Sequence, residues 1–125
     1  MAGRKGSKYY DIFLKHKVWL ENINGEDIVG GGKFDLLLSI DETQCITASA
    51  ENLGISYRKA WGNIREIEQR LGFTVVEKHR GGKEGGKTVL NAEGKKLIDA
   101  YREFLIQIDT LMHDAAKEFW NKIND

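Results

Sequence analysis

The sequence predicts a mainly α fold with a small β wing: a winged helix-turn-helix with an N-terminal β-hairpin and a long C-terminal dimerisation helix. Three observations carry that expectation. Two short helical patterns meet at Leu53-Gly54-Ile55-Ser56. A Gly- and Lys-rich stretch, residues 78–87, separates two short β-branched runs. From Ala92 onward an apolar pattern of period 3.5 continues nearly to the end of the chain. The expected layout is an arm and hairpin over 1–31, the winged helix-turn-helix over 32–91, and the long helix over 92–125.

Residues 1–8 are rich in Gly and Lys and are expected to form a loose basic arm. Such an arm could touch phosphate, but a disordered end or an expression remnant is the favoured reading. From Ile12 to Ile23 apolar and polar residues roughly alternate, with Val18 and Leu20 on one side and Trp19 on the other. Asn24-Gly25 is a hairpin-turn signal, and a return strand is expected around Asp27 to Val29. Gly30-Gly31-Gly32 interrupts the chain before a helix over Lys33 to Glu42, whose Phe34, Leu37 and Leu38 face inward.

In the central pair of helices, Ala50 and Leu53 share a face. Gly54 supplies the backbone freedom that ends the first helix, and Ser56 is a good N-cap for the second. Ala60, Ile64, Ile67 and Leu71 recur at steps of four, three and four, giving one apolar stripe. Periodicity alone would fit two ordinary amphipathic helices. The outward residues favour a second helix that lies in the DNA major groove: Tyr57, Arg58, Lys59, Trp61, Asn63 and Arg65 lie off the stripe. Hydrogen-bond donors and flat side chains at that end are what a base reader needs. Trp61 is set on the DNA side because Ala60 and Ile64 already occupy the stripe beside it; the alternative is a core position. Thr47 and Ser49, at the start of the preceding helix, are expected to hold phosphates.

Phe73 to Glu77 reads as a strand and Thr88 to Leu90 as its partner. Between them Lys78, Arg80, Lys83 and Lys87 supply charge and the glycines allow close approach to phosphate, as in a wing; the alternative is a surface loop. Asn91 is the expected cap of a helix over Ala92 to Ile123. Leu97, Tyr101, Phe104, Ile108, Leu111 and Ala115 are spaced four, three, four, three and four, the seam of helices that pair. A helix of about 45 Å is too long for a small domain to cover alone, so a homodimer is expected through this seam. The alternative is a helix folded back on its own core.

The motifs Ala-x-x-Leu-Gly-Ile-Ser and x-x-x-Ala-x-x-x-Ile-x-x-Ile-Glu-x-x-Leu-Gly resemble the helix-turn-helix of LysR-type regulators. More narrowly, Ile-Ser-Tyr-Arg-Lys-Ala-Trp (55–61) resembles the recognition-helix start of the ModE-like family of molybdate-responsive repressors. Residues 81–87 and 89–94 resemble its wing and the start of its long helix, so the likeness covers about Gly32 to Leu105. It implies a sequence-specific transcriptional regulator that acts on double-stranded DNA in the cytoplasm. Two departures stand out. Asn91 replaces the family's usual Thr, a tolerable change for a cap. The molybdate-binding domains that follow the long helix in that family have no counterpart before Asp125. Molybdate sensing is therefore not carried over. The expected alternatives are constitutive action, a signal from another ligand or a separate effector-sensing partner, or a chain that is a fragment.

Composition is compatible with this reading. The net charge over 125 residues is zero, but it is unevenly placed. From Ser56 to Lys96 ten basic residues face five acidic ones, whereas from Leu97 onward three basic residues face six acidic ones. Nucleic-acid binding follows the local patch rather than the total. Cys45 is the sole cysteine, which excludes an intrachain disulfide or a cysteine zinc cluster. His16, His79 and His113 have no metal-ligand spacing, and no catalytic constellation or cofactor site is visible, so no enzyme is expected. No apolar run approaches a membrane span.

Residues 81–88 satisfy the P-loop pattern G-x-x-x-x-G-K-[ST]. Nucleotide binding would require a helix to begin at Lys87-Thr88. The apolar, β-branched Thr88-Val89-Leu90 argues against one, and the repeated βα units of that fold are absent. A further alternative is a winged helix that binds protein rather than DNA, since fold does not fix function.

Overall fold

The computed structural model describes residues 5–6, 8–30, 32–80 and 86–124. Lys83 and the rest of the expected wing tip, 81–85, lie outside the described residues, as does Gly31. The element order is α1 (Gly32–Thr43), α2 (Ile46–Leu53), α3 (Tyr57–Leu71), β1 (Val76–His79), β2 (Lys87–Leu90) and α4 (Ala92–Ile123). This is the mainly α winged helix-turn-helix that the sequence predicts. Backbone contacts gather it into two compact units, Trp19–Ala100 and, separately, Met1–Val18 with Tyr101–Asp125.

In the first unit, three helices close one core. Leu36 and Ile40 of α1, Ile46 and Ala50 of α2, and Ala60 and Ile64 of α3 are buried together. Leu53, Ile55, Val76 and Leu90 pack on that cluster. Local chemistry sets each boundary. The Sγ of Cys45 accepts the N–H of Ala48 at 3.4 Å and caps α2, a role the sequence reading did not assign. Gly54, at φ 67°, ends α2 in the left-handed region that glycine tolerates. Ser56 Oγ accepts the Lys59 N–H at 3.0 Å and starts α3. Gly72, at φ 89°, ends it.

The two strands pair antiparallel with Val76 opposite Leu90 and His79 opposite Lys87. The first strand thus begins later than the expected Phe73. Glu68 explains the delay: its carboxylate accepts the N–H groups of Val75 at 2.7 Å and Val76 at 3.3 Å, so the segment after Gly72 is pinned to α3. The Thr88 N–H donates to the Gln44 carbonyl at 3.1 Å, which fastens β2 to the turn between α1 and α2. The expected hairpin is present but short. A single bridge joins Glu21 and Asp27, and Asn22 Oδ1 accepts from the N–H groups of Asn24 and Glu26 across the turn. Arg70 of α3 holds this hairpin by donating to the Asp27 carbonyl and pairing with Glu26 at 3.7 Å.

In the second unit, Tyr101, Ala116 and Trp120 form the buried face of α4. Tyr101 is only 6% exposed, and its hydroxyl donates to the Val18 carbonyl at 3.0 Å. Burial raises its phenol pKa. The sequence reading put Tyr101 in an intermolecular seam; its own chain covers it instead. Tyr9 adds a tilted ring contact to Trp120, with centroids 6.0 Å apart. Among the described residues no helix is long and apolar enough to cross a membrane.

Candidate nucleic-acid interface

An α-helix advances about 100° per residue, so α3 presents four distinct faces. Ala60, Ile64 and Ile67 point into the core. Glu66 and Arg70 turn toward α1 and the hairpin, where Lys33 donates to Glu66 at 2.9 Å and Arg70 pairs with it at 2.6 Å. The Lys33 hydrogen bond, with the charges of Lys33 and Arg70, holds the Glu66 carboxyl below its ordinary pKa despite some desolvation. Arg58, Gly62, Arg65 and Gln69 form the exposed outer face. Tyr57 and Trp61 turn toward the strands.

The cations fall into two groups. Lys33 and Arg70 are neutralised on the α1 side, and Lys95 is held by Asp41 at 2.7 Å, a hydrogen bond that raises the Lys95 pKa. Arg58, Lys59, Arg65, Arg80 and Lys87 have no ion pair among the described residues. All five are exposed. The acids that neutralise Lys33, Arg70 and Lys95 thus lie away from the outer face of α3, and among the described residues of the wing only His79 has an acidic partner, Glu77 at 3.3 Å.

An open groove of about 510 Å³ runs between the starts of α2 and α3 and the paired strands. Thr47, Tyr57, Lys78, Arg80 and Lys87 line it, with Trp61 at its floor. These are expected site residues brought together from three separate stretches of sequence. Asn63 and Lys59 instead line a second cleft, beside Gly32 and Lys33 at the start of α1.

Two expected contacts need correction. Ser49 is 0% exposed, and its hydroxyl lies 3.0 Å from that of Thr43, so it serves the interior rather than a phosphate. Trp61 is half-buried and packs against the core. Its ring lies 4.2 Å beneath the Lys78 ammonium and meets Tyr57 edge-on at 6.4 Å. Its Nε1 is buried without a hydrogen-bond partner among the described residues. A base edge has no access to that nitrogen. The residue that sequence reasoning passed over is Gly62, on the outer face between Arg58 and Arg65. Its only signal in the sequence is a glycine inside a strongly helical run.

Lys87 and Thr88 belong to β2, and the Thr88 side chain is buried. No helix begins there, so the P-loop reading fails the test of context.

Comparison with known proteins agrees with the geometry. A 73-residue stretch is 40% identical to molybdenum-pterin-binding protein MopB of Rhodobacter capsulatus, covering 58% of this chain and 27% of that protein. Over 86 residues the chain is 36% identical to the DNA-binding transcriptional dual regulator ModE of Escherichia coli strain K12, covering 69% of this chain and 32% of the relative. The chain thus spans about a third of the length of these relatives. Among solved structures, the BenM DNA-binding domain in complex with catB site 1 DNA superposes with a TM-score of 0.53 at 20% identity, covering 69% of this chain and 90% of that one. The CbnR DNA-binding domain–DNA complex gives 0.52 at 18%, covering 70% and 93%. At such identities these two structures establish the fold alone. Residues 33–95 match the bacterial regulatory helix-turn-helix protein pattern of the lysR family, and the chain belongs to that family.

Proposed function

We propose that this chain is a sequence-specific DNA-binding transcriptional regulator that acts as a homodimer in the cytoplasm. The observation that carries the reading is that the exposed cations of α3 and the wing, Arg58, Lys59, Arg65, Arg80 and Lys87, have no ion pair among the described residues. Counter-charge for exposed cations gathered along one helix and the adjoining wing is what a phosphate backbone supplies. The Escherichia coli relative is named a DNA-binding transcriptional dual regulator, which supports the same assignment.

Each part has a role in this reading. Residues 32–91 form the DNA-binding body and 92–125 the dimerisation helix. Ser56 fixes the start of α3 so that its first turn enters the major groove. Tyr57 and Arg58 meet base edges. Lys59, Asn63 and Arg65 reach bases or phosphates along the same groove. Thr47 holds a phosphate at the start of α2, and Arg80 and Lys87 follow the backbone from the wing. Leu97, Phe104, Ile108, Leu111 and Ala115 contribute to the helix pairing that sets the spacing of two half-sites.

The test is retention of sheared host genomic DNA by the purified protein at moderate salt, followed by sequencing of what is held. Enrichment of a two-fold symmetric motif is expected, with half-sites one helical turn or a multiple apart. Retention without enrichment would reduce the protein to a non-specific binder. No retention would overturn the reading and favour a winged helix that binds protein.

A further inference from the structure

Glycine is among the poorest residues for a helix interior, because it exposes backbone and loses the most freedom on ordering. Gly62 nevertheless sits in the middle of the 15-residue α3. Two reasons usually explain such a glycine, and neither holds. Its backbone is not among the left-handed glycines of the described residues, which are Gly6, Gly25, Gly54 and Gly72. A Cβ built on it would meet nothing within 4 Å, so no neighbour needs the space. Gly94 is the contrast: a Cβ there would collide with the Val75 carbonyl. Nothing among the described residues calls for glycine at position 62.

Its place on the helix supplies a reason. Arg58 is one turn before it and Arg65 one turn after, all three on the exposed outer face. A helix about 10–12 Å across in a groove about 12 Å wide leaves no slack, so one methyl group decides how deep the backbone sits. The peptide groups of a helix interior are already bonded to one another, so the bare patch at Gly62 offers only Cα hydrogens. An apolar, donor-free patch matches an apolar feature of the groove, and the thymine C5-methyl group is the apolar feature a major-groove edge presents. The flanking guanidiniums match guanine O6 and N7.

We propose that Gly62 is a specificity-determining position: its missing side chain seats a thymine methyl against the α3 backbone, between guanines read by Arg58 and Arg65. The inference rests on the reading of α3 as the recognition helix.

The test begins with selection from a random-sequence duplex library by the full chain and by Gly62→Ala and Arg58→Ala. Affinities are then measured for the duplex the wild type selects, for that duplex with each thymine replaced in turn by uracil, and for an unselected duplex. Wild type should lose about fivefold in affinity at one thymine per half-site when the methyl is removed, in line with a ~1 kcal/mol contact. Gly62→Ala should bind the selected duplex at least tenfold more weakly, lose its sensitivity to that uracil, and hold unselected duplex within twofold. It should also melt a few degrees higher, because alanine is the better helix former; this separates the effect from damage to the fold. Unchanged affinity and unchanged selected sequence in Gly62→Ala, while Arg58→Ala weakens binding, would overturn the assignment of Gly62 alone. Unchanged binding in both variants would overturn the recognition-helix reading as well.

Discussion

Gly94 and Gln44 are misfits of opposite kind, and each shows how one residue position is set by a neighbour remote in sequence. Asn91 accepts the Gly94 N–H on its side-chain oxygen at 2.8 Å and donates its own N–H to the Val75 carbonyl at 2.9 Å. This draws the first turn of α4 onto the backbone that leads into β1, and leaves no room for a Cβ at Gly94. Gly94→Ala must therefore push one main chain off another. We expect a loss of about 1–3 kcal/mol, read as a lower urea midpoint at unchanged m-value. Gln44 carries a side chain where glycine would be preferred, at φ 55°, so that its carbonyl can receive Thr88 of β2. Gln44→Gly should keep that bond, relieve the left-handed strain and raise stability by about 0.5–1 kcal/mol, after the extra entropy of glycine is deducted. A fall in stability would mean that the Gln44 side chain contributes more than its strained backbone costs.

At the scale of elements, α3 is joined to the wing by the Glu68 carboxylate on the Val76 amide and, nearer the groove, by the stack of Lys78 on Trp61. A cation held 4.2 Å from a half-buried indole is worth about 0.5–2 kcal/mol, and here it ties α3 to β1. Lys78→Met and Trp61→Leu should each lower stability in urea, while the double variant should be no worse than the weaker single one; Trp61→Phe should retain most of the coupling. Strictly additive losses would show that the ammonium and the ring act independently. This pairing also marks the limit of what the sequence makes legible. The stripe of Ala60, Ile64 and Ile67, the Gly54 turn and the Ser56 cap are local patterns, and they fold as the spacing predicts. Depth is not local. The angular position of Trp61 on the helix was readable, but whether Lys78 would cover its ring depended on a strand seventeen residues away. Ser49 was misread for the same reason, because its partner Thr43 lies across a helix boundary. The start of β1 was misplaced because the Glu68 carboxylate competes for the amides of Val75 and Val76.

For the whole molecule the decisive question is what covers the second apolar face of α4. This helix is 32 residues long, about 48 Å. In the unit containing Tyr101–Asp125, one face is closed by Tyr101, Ala116 and Trp120. About a quarter turn away run Phe104, Ile108, Leu111, Ala115 and Phe119, separated by four, three, four and four residues. Phe104 is 44% exposed and Leu111 66% exposed. Two aromatic rings and a leucine in register along one helix face are costly to leave in water, and a second copy presents the same face in self-complementary form. The spacing suits helix pairing, and a symmetric pair would present two α3 helices to a symmetric site. Leu111→Glu combined with Phe104→Glu should therefore convert the protein to a species of the 14.2 kDa chain mass in sedimentation equilibrium. Affinity for a two-half-site duplex should fall by a factor of ten or more, while a duplex with a single half-site should be bound as before, because the cations of α3 and the wing are untouched. A variant that still sediments at twice the chain mass would remove this face of α4 from the interface. Equal losses on both duplexes would mean that the substitutions disturb the DNA-binding body itself.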